Sequence, residues 1–314
     1  FSGDLDFNTQ EANKTPFSKP VEDTDADKIK KGNDFKVFSR TFTSSLLGVR
    51  DKVNKYIANG GLLDTENLLN SVDSLFSALP NDASLFDMLM CINQLDDVTY
   101  VHSIKVSLIC KLFAEWLKMS PKDATELELA GLLHDIGKNK ISQDIIRKTG
   151  KLTEEEYSEM RNHCLYGYNM LKTLPISEHV MNAALMHHER CDGSGYPLSL
   201  TGDAIDPFAK IVAIADVYDA MTTARSYRGP ICPLEVINLF EKEGLTKYDP
   251  HYILVFLDNI MYTYLNHTVY LSNGMTGEVI MVNRNNRSKP IIKMENGEFL
   301  DLNKDSFVSV LGIL

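Results

Sequence analysis

The sequence has no Cys-x-x-Cys pair, no apolar run long enough to span a bilayer and no excess of positive charge. Each absence excludes something. Its five cysteines (Cys91, Cys110, Cys164, Cys191 and Cys232) are odd in number and scattered. That pattern argues against a disulfide frame or a zinc knuckle and for reduced thiols in the cytoplasm. A membrane helix needs about 18–20 consecutive apolar residues, and none is found. A net charge of −11 argues against binding nucleic-acid polymers. It also means that a site for a phosphate anion must create its own local positive field. The chain opens on Phe1 without a signal peptide, which leaves room for an upstream segment, an anchor or a sensor.

What is present is enough apolar material for a proper core, 44% of 314 residues, in two domains or one large one with extensions. Residues 1–34 are polar and charge-mixed and read as a flexible lead. From 35 to 95 the period is helical: Phe38, Phe42, Leu46 and Leu47 form one stripe, and Leu68, Leu69, Val72, Leu75 and Phe76 another. Gly60-Gly61 and Pro80-Asn81 break it. This is a small helical N-terminal region, suited to sensing or to a partner. Residues 96–267 are again helix after helix: Val101 to Leu117, a helix from near Pro121, Glu154 to Thr173, Val180 to Glu189, and Phe208 to Thr223. Near Thr268 the period changes to short strand-like runs (TVYLSNG, TGEVIMV, KPIIKM, FVSVL), with hairpin signals at Asn273-Gly274 and Asn296-Gly297. The expected fold is mainly α, with a short β appendage over 268–314.

The chain is organised around Gly131–Lys138, GLLHDIGK. Leu129, Leu132, Leu133 and Ile136 recur at i, i+3, i+4 and i+7, so one helical face is buried there. His134 and Asp135 therefore lie on or beside a buried face, where a carboxylate needs a partner or a cation. Gly137 is expected to end the helix, with Lys138 as a cation at its C-terminus. Six of the eight histidines fall between His102 and His188. Burying so many imidazoles without partners would cost about 1–3 kcal/mol for each unsatisfied nitrogen. A shared metal centre satisfies them together. The candidate ligands are His102, His134, Asp135, His163, His187, His188 and Asp216. Five imidazoles and two carboxylates exceed one ion's needs and suit two ions bridged by a carboxylate such as Asp135. The mixture suits iron, manganese, zinc, nickel or cobalt rather than magnesium or calcium. Two such ions activate water and offset charge in phosphate-ester hydrolysis. His187 and His188 point about 100° apart in mid-helix. Both can ligate only near a helix end or to different ions.

These residues together resemble the HD-GYP domain, a branch of the HD phosphohydrolase superfamily, over about residues 95–265. The matching segments are YVHSIKV, LLHDIGK, His163 within RNHCLYGY, HHERCDGSGYP and IADVYDAMTTARSYR. The resemblance implies an HD-type helical bundle and a bacterial signalling enzyme. Its activity would be hydrolysis of cyclic di-GMP to pGpG, GMP or both by a hydroxide on a binuclear metal centre, with iron the first expectation among the metals. Carried over by position, the metal ligands are the seven residues above. Asp135 and Lys138 are the catalytic pair, Lys138 acting as a phosphate contact or proton donor. Arg225 and Arg228 bind substrate phosphate or guanine, and arginine forks suit both. Tyr196 either contacts the ligand or braces the loop. Some family members carry a glutamate four residues before the first histidine, supporting a third metal. Here that position is Val98, near Asp96 and Asp97, which favours two ions. The expected partners are cyclic di-GMP, a diguanylate cyclase or other signalling protein at the N-terminal region or GYP loop, and a second copy of the chain. The competing readings are a non-catalytic cyclic di-GMP receptor and a hydrolase of another cyclic dinucleotide, such as cyclic GMP-AMP.

Overall fold

Five of the long helices open on a short polar side chain, a proline or both, which is why the chain turns where it does. A computed structural model of the chain describes residues 25–81, 84–92, 98–223, 229–305 and 307–314. The N-terminal helices are α1 (Asp25–Lys31), α2 (Asn33–Asn59), α3 (Thr65–Phe76) and α4 (Leu85–Cys91). The central bundle holds α5 (Val98–Trp116), α6 (Pro121–Leu133), α7 (Gln143–Ile146), α8 (Glu154–Arg161), α9 (His163–Leu171), α10 (Glu178–Met186) and α11 (Pro207–Thr222). It is completed by α12 (Pro233–Lys247) and α13 (Pro250–Thr263). Ser120, Asp206 and Asp249 each accept a backbone N–H of the first turn, and a proline follows each at the first helical position. That residue supplies a preset φ and lacks the N–H that would go unpaired. Asp64 caps α3, and Thr153 with Glu156 forms a reciprocal capping box on α8.

One apolar core runs from Phe38 to Tyr264 through α2, α3, α5, α6, α10, α11, α12 and α13. The N-terminal helices are part of it: Tyr56 donates to the Met170 carbonyl at 2.7 Å, and Lys111 on α5 pairs with Asp73 on α3 and Glu128 on α6. The mainly-α expectation therefore holds. Its details change in several places. The lead expected over 1–34 is helical from Asp25, and Ile29 packs on the core. The α2 stripe passes through Val49 and Val53, while Leu47, one residue round from buried Leu46, is 44% exposed. The helix expected over 154–173 breaks at Asn162, which ends α8 and starts α9. The helix of the central motif ends at Leu133, four residues before Gly137.

The C-terminal appendage is an antiparallel sheet of β1 (Thr268–Leu271), β2 (Thr276–Met281), β3 (Ile291–Met294), β4 (Phe299–Asp301) and β5 (Val310–Ile313), in the order β4-β3-β2-β1-β5. The two Asn-Gly turns join β1 to β2 and β3 to β4. Of the expected FVSVL strand only Val310 and Leu311 belong to β5; β4 was not expected. Val269, Leu271, Val279, Ile292, Met294 and Leu302 form a second small core. Glu241 of α12 and Asp258 of α13 hold the β2–β3 connection through Arg287 and Ser288.

Candidate metal centre

The end of α6 sets the geometry. His134 caps the helix still in helical conformation, and Asp135 (φ −99°, ψ 9°) turns the chain into a 3-10 turn, Ile136–Lys140. Two adjacent side chains thus point inward, and both are buried. Gly137 does not cap a helix. A Cβ there would lie 1.9 Å from the His163 carbonyl oxygen and 2.5 Å from the Gly167 nitrogen. Its lack of a side chain lets the 3-10 turn lie directly on α9, which carries His163 to the centre.

His187 and His188 also lie past a helix end, after Met186 of α10. Both reach the centre, as a helix end permits. His102 enters from the first turns of α5, and Asp216 from α11. The structure therefore brings all seven expected ligands together, all buried. Arg225 and Arg228 lie outside the described residues, as do Asp96 and Asp97.

Three imidazoles are oriented by backbone. The Nδ1 of His134, His163 and His187 lies 2.8, 2.7 and 3.0 Å from the carbonyl oxygens of Gly131, Met160 and Ala183. A carbonyl only accepts, so each Nδ1 carries the proton and each Nε2 faces the centre. Burial pulls His163 down to about 4 and His187 well below its ordinary value, so both are neutral near pH 7. Their Nε2 atoms nevertheless face each other at 3.3 Å. Two lone pairs at that distance repel unless a cation lies between them. His134 Nε2 and Asp135 Oδ1 are buried without a hydrogen-bond partner, a costly state that coordination relieves. The residues fit a divalent metal centre.

The carboxylates straddle it. Asp135 Oδ2 is 3.4 Å from His134 Nε2 and 3.8 Å from His102 Nε2, while Oδ1 is 3.4 Å from His163 Nε2 and 3.8 Å from His187 Nε2. Asp216 Oδ1 is 2.9 Å from His102 Nε2, and Oδ2 is 4.0 Å from His188 Nδ1. Burial opposes ionisation of Asp135, but Lys138 and His134 outweigh it and hold the carboxyl well below the ordinary range. Asp216 is held low against burial by its hydrogen bond to His102. Burial also lowers His102, but hydrogen bonds from it to Asp216 and Asp219 raise it above its ordinary value. Lys138 Nζ lies 2.5 Å from Asp135 Oδ2 with its side chain 18% exposed, at the edge between centre and solvent.

Several supporting residues were not singled out in the sequence. Asp219, three residues after Asp216 on the same face of α11, accepts from His102 Nδ1 at 2.7 Å. Its i+3 spacing was the available signal. Cys164 Sγ lies 3.5 Å from His163 Nε2. Glu189, following the double histidine, accepts the backbone N–H groups of Leu198 (2.6 Å) and Leu200 (2.9 Å) and so ties the GYP loop to the ligand segment. Tyr196 is buried, stacked on His188 with ring centroids 4.6 Å apart, and Arg161 stands 4.6 Å over its ring.

A model of the HD domain matches residues 66–252, and the chain belongs to the HD domain family. A Pseudomonas aeruginosa protein named as a cyclic di-GMP phosphodiesterase is 32% identical over 75% of this chain and 57% of its own length. A Thermotoga maritima protein of the same description is 37% identical over 55% of this chain and 49% of its own. A Vibrio cholerae 3′3′-cGAMP-specific phosphodiesterase is 42% identical over 46% of this chain and 34% of its own. The chain thus spans only 34–57% of these relatives. A solved HDG"Y"P protein from Bdellovibrio bacteriovorus has the same fold, with a TM-score of 0.57 over 74% of both chains at 19% identity.

Proposed function

We propose that this chain is a metal-dependent phosphodiesterase that opens cyclic di-GMP to the linear dinucleotide. The observation that carries the reading is the pair of straddling carboxylates, Asp135 and Asp216, each offering one oxygen to each group of imidazoles. His102, His134, His163, His187, His188, Asp135 and Asp216 would hold two divalent ions, iron first among them. When bound, the ions would activate water and offset charge on the attacked phosphoryl group.

The chain's own residues do the rest. Lys138, cationic and at the rim, neutralises phosphoryl charge and delivers a proton to the departing ribose 3′ oxygen. The water oxygen–phosphorus bond forms as the phosphorus–O3′ bond breaks. Tyr196 and Glu189 hold His188 and the GYP loop in place. Arg225 and Arg228 grip the phosphates or guanines, adding to the positive field of Lys138 in an acidic chain. Free thiols fit a cytoplasmic setting, and among the described residues no helix is long and apolar enough to cross a membrane. The N-terminal helices, sharing the bundle's core, are the surface for a signalling partner.

Cyclic GMP-AMP is the second substrate reading, favoured by the 42% identity to the Vibrio cholerae enzyme. Turnover of each cyclic dinucleotide by anaerobically purified protein, alone and in competition, tests both. Production of pGpG or GMP that Asp135→Ala abolishes is expected. Tight cyclic di-GMP binding without product, at full metal loading, would show a receptor instead.

A further inference from the structure

The residue that follows the first imidazole of α9 is a thiol, and it faces the same way. Cys164 is wholly buried, with Sγ 3.5 Å from His163 Nε2. Donor atoms of His163, Cys164, His187 and His188 all lie within 4.8 Å of one another. A second observation is independent of the cysteine. Asp135 Oδ1, buried and without a hydrogen-bond partner, aims into this group, 3.4 Å from His163 Nε2.

Bond lengths give a test of fit. A tetrahedral ion holds imidazole nitrogen at about 2.1 Å and thiolate sulfur at about 2.3 Å, which sets two nitrogens about 3.4 Å apart and nitrogen about 3.6 Å from sulfur. The separations here are 3.3 Å for His163 Nε2 to His187 Nε2 and 3.5 Å for His163 Nε2 to Cys164 Sγ. A thiol that only filled the core would be under no such constraint.

We infer that Cys164 is a thiolate ligand of the cation on the His163–His187 side, which makes that position selective for a thiophilic divalent ion such as zinc or iron. On binding, the S–H bond is lost, the sulfur–metal bond forms and the proton passes to solvent. The His102–His134–Asp216 side offers only nitrogen and oxygen. The two positions are then chemically unequal: the sulfur-bearing one disfavours manganese and magnesium, which prefer oxygen donors. This inference rests on the metal-centre reading of the proposed function.

The test loads the metal-free, reduced chain with cobalt(II), counts cobalt per chain by mass spectrometry and records the near-ultraviolet spectrum. A thiolate-to-cobalt charge-transfer band is expected, lost in Cys164→Ser and Cys164→Ala and kept in Cys110→Ser. Cobalt bound with no such band, or with a band unchanged by Cys164→Ser, overturns the thiolate while leaving the metal centre standing. A chain that binds neither cobalt, zinc nor iron overturns both. X-ray absorption of the zinc-loaded wild type needs no variant. A sulfur neighbour at about 2.3 Å is expected, and a shell of nitrogen and oxygen alone overturns the inference even if the variants misfold.

Discussion

Asp219 Oδ2 accepts a hydrogen bond from His102 Nδ1 at 2.7 Å, on the side of the ring opposite Nε2, which lies 2.9 Å from Asp216 Oδ1. Thr223 Oγ1 donates to the other oxygen at 3.1 Å, and Lys105 Nζ stands 3.8 Å from it. A carboxylate behind a ligating imidazole fixes its tautomer and raises its basicity, and losing one typically costs 10–100-fold in metal affinity. Asp219→Ala should weaken metal binding by about that factor, and Asp219→Asn by less, since the amide oxygen still accepts. Metal titration by calorimetry checks both. Equal affinity in wild type and Asp219→Ala would contradict the role.

Gly137 is where the 3-10 turn meets α9 without room for a methyl group. Gly137→Ala must push the turn off the helix that carries His163. Overpacking of this kind typically costs about 1–3 kcal/mol, occasionally more. Thermal unfolding should show the loss, and metal affinity should fall with it because His163 moves. Gly150→Ala, with open space around it, is the control and should leave both unchanged.

Much of this centre was legible in the sequence because imidazole and carboxylate are costly to bury alone. The i, i+3, i+4, i+7 pattern of Leu129, Leu132, Leu133 and Ile136 around His134-Asp135 was enough to place both inside. Helix ends were less legible. His187 and His188 converge because α10 stops at Met186, and Asn162 divides α8 from α9; periodicity runs through both breaks. Gly137 reads in sequence as a helix cap, because composition cannot distinguish a glycine needed for its φ from one needed for close approach. Asp219 meets His102 across 117 residues of chain, and Glu189 reaches Leu198 and Leu200 only through the path of the loop between them, so spacing alone does not reveal those partners. Leu47 shows the converse, an apolar side chain beside the stripe that remains 44% exposed.

Lys138 should separate chemistry from metal loading. Lys138→Met removes the proposed proton donor and rim charge but none of the seven proposed ligands. Turnover is expected to fall about 10²–10⁴-fold, the usual contribution of a positioned acid or base, with metal content unchanged. Loss of metal in parallel with activity would make Lys138 a support for Asp135 instead.

Glu128 carries a pH signature away from the centre. Burial pushes its carboxyl up to about 7, against the opposing pull of Lys111. A folded pKa above the unfolded value means the contribution to stability is fully present below about 4.5 and lost as pH rises through about 7. Melting temperature should therefore fall more between about pH 5 and pH 8 in wild type than in Glu128→Gln, which has no carboxyl to ionise. Parallel curves for the two proteins would contradict it.

Metal counted per chain in anaerobically purified protein, wild type beside Asp135→Ala, tests the central claim most directly. The two oxygens of Asp135 face different imidazole groups, so its loss should reach both positions. The prediction is two divalent ions per wild-type chain, and neither held stably after Asp135→Ala. A wild-type chain that holds one ion or none in excess iron, zinc and manganese, or an Asp135→Ala chain that still holds two, would contradict it.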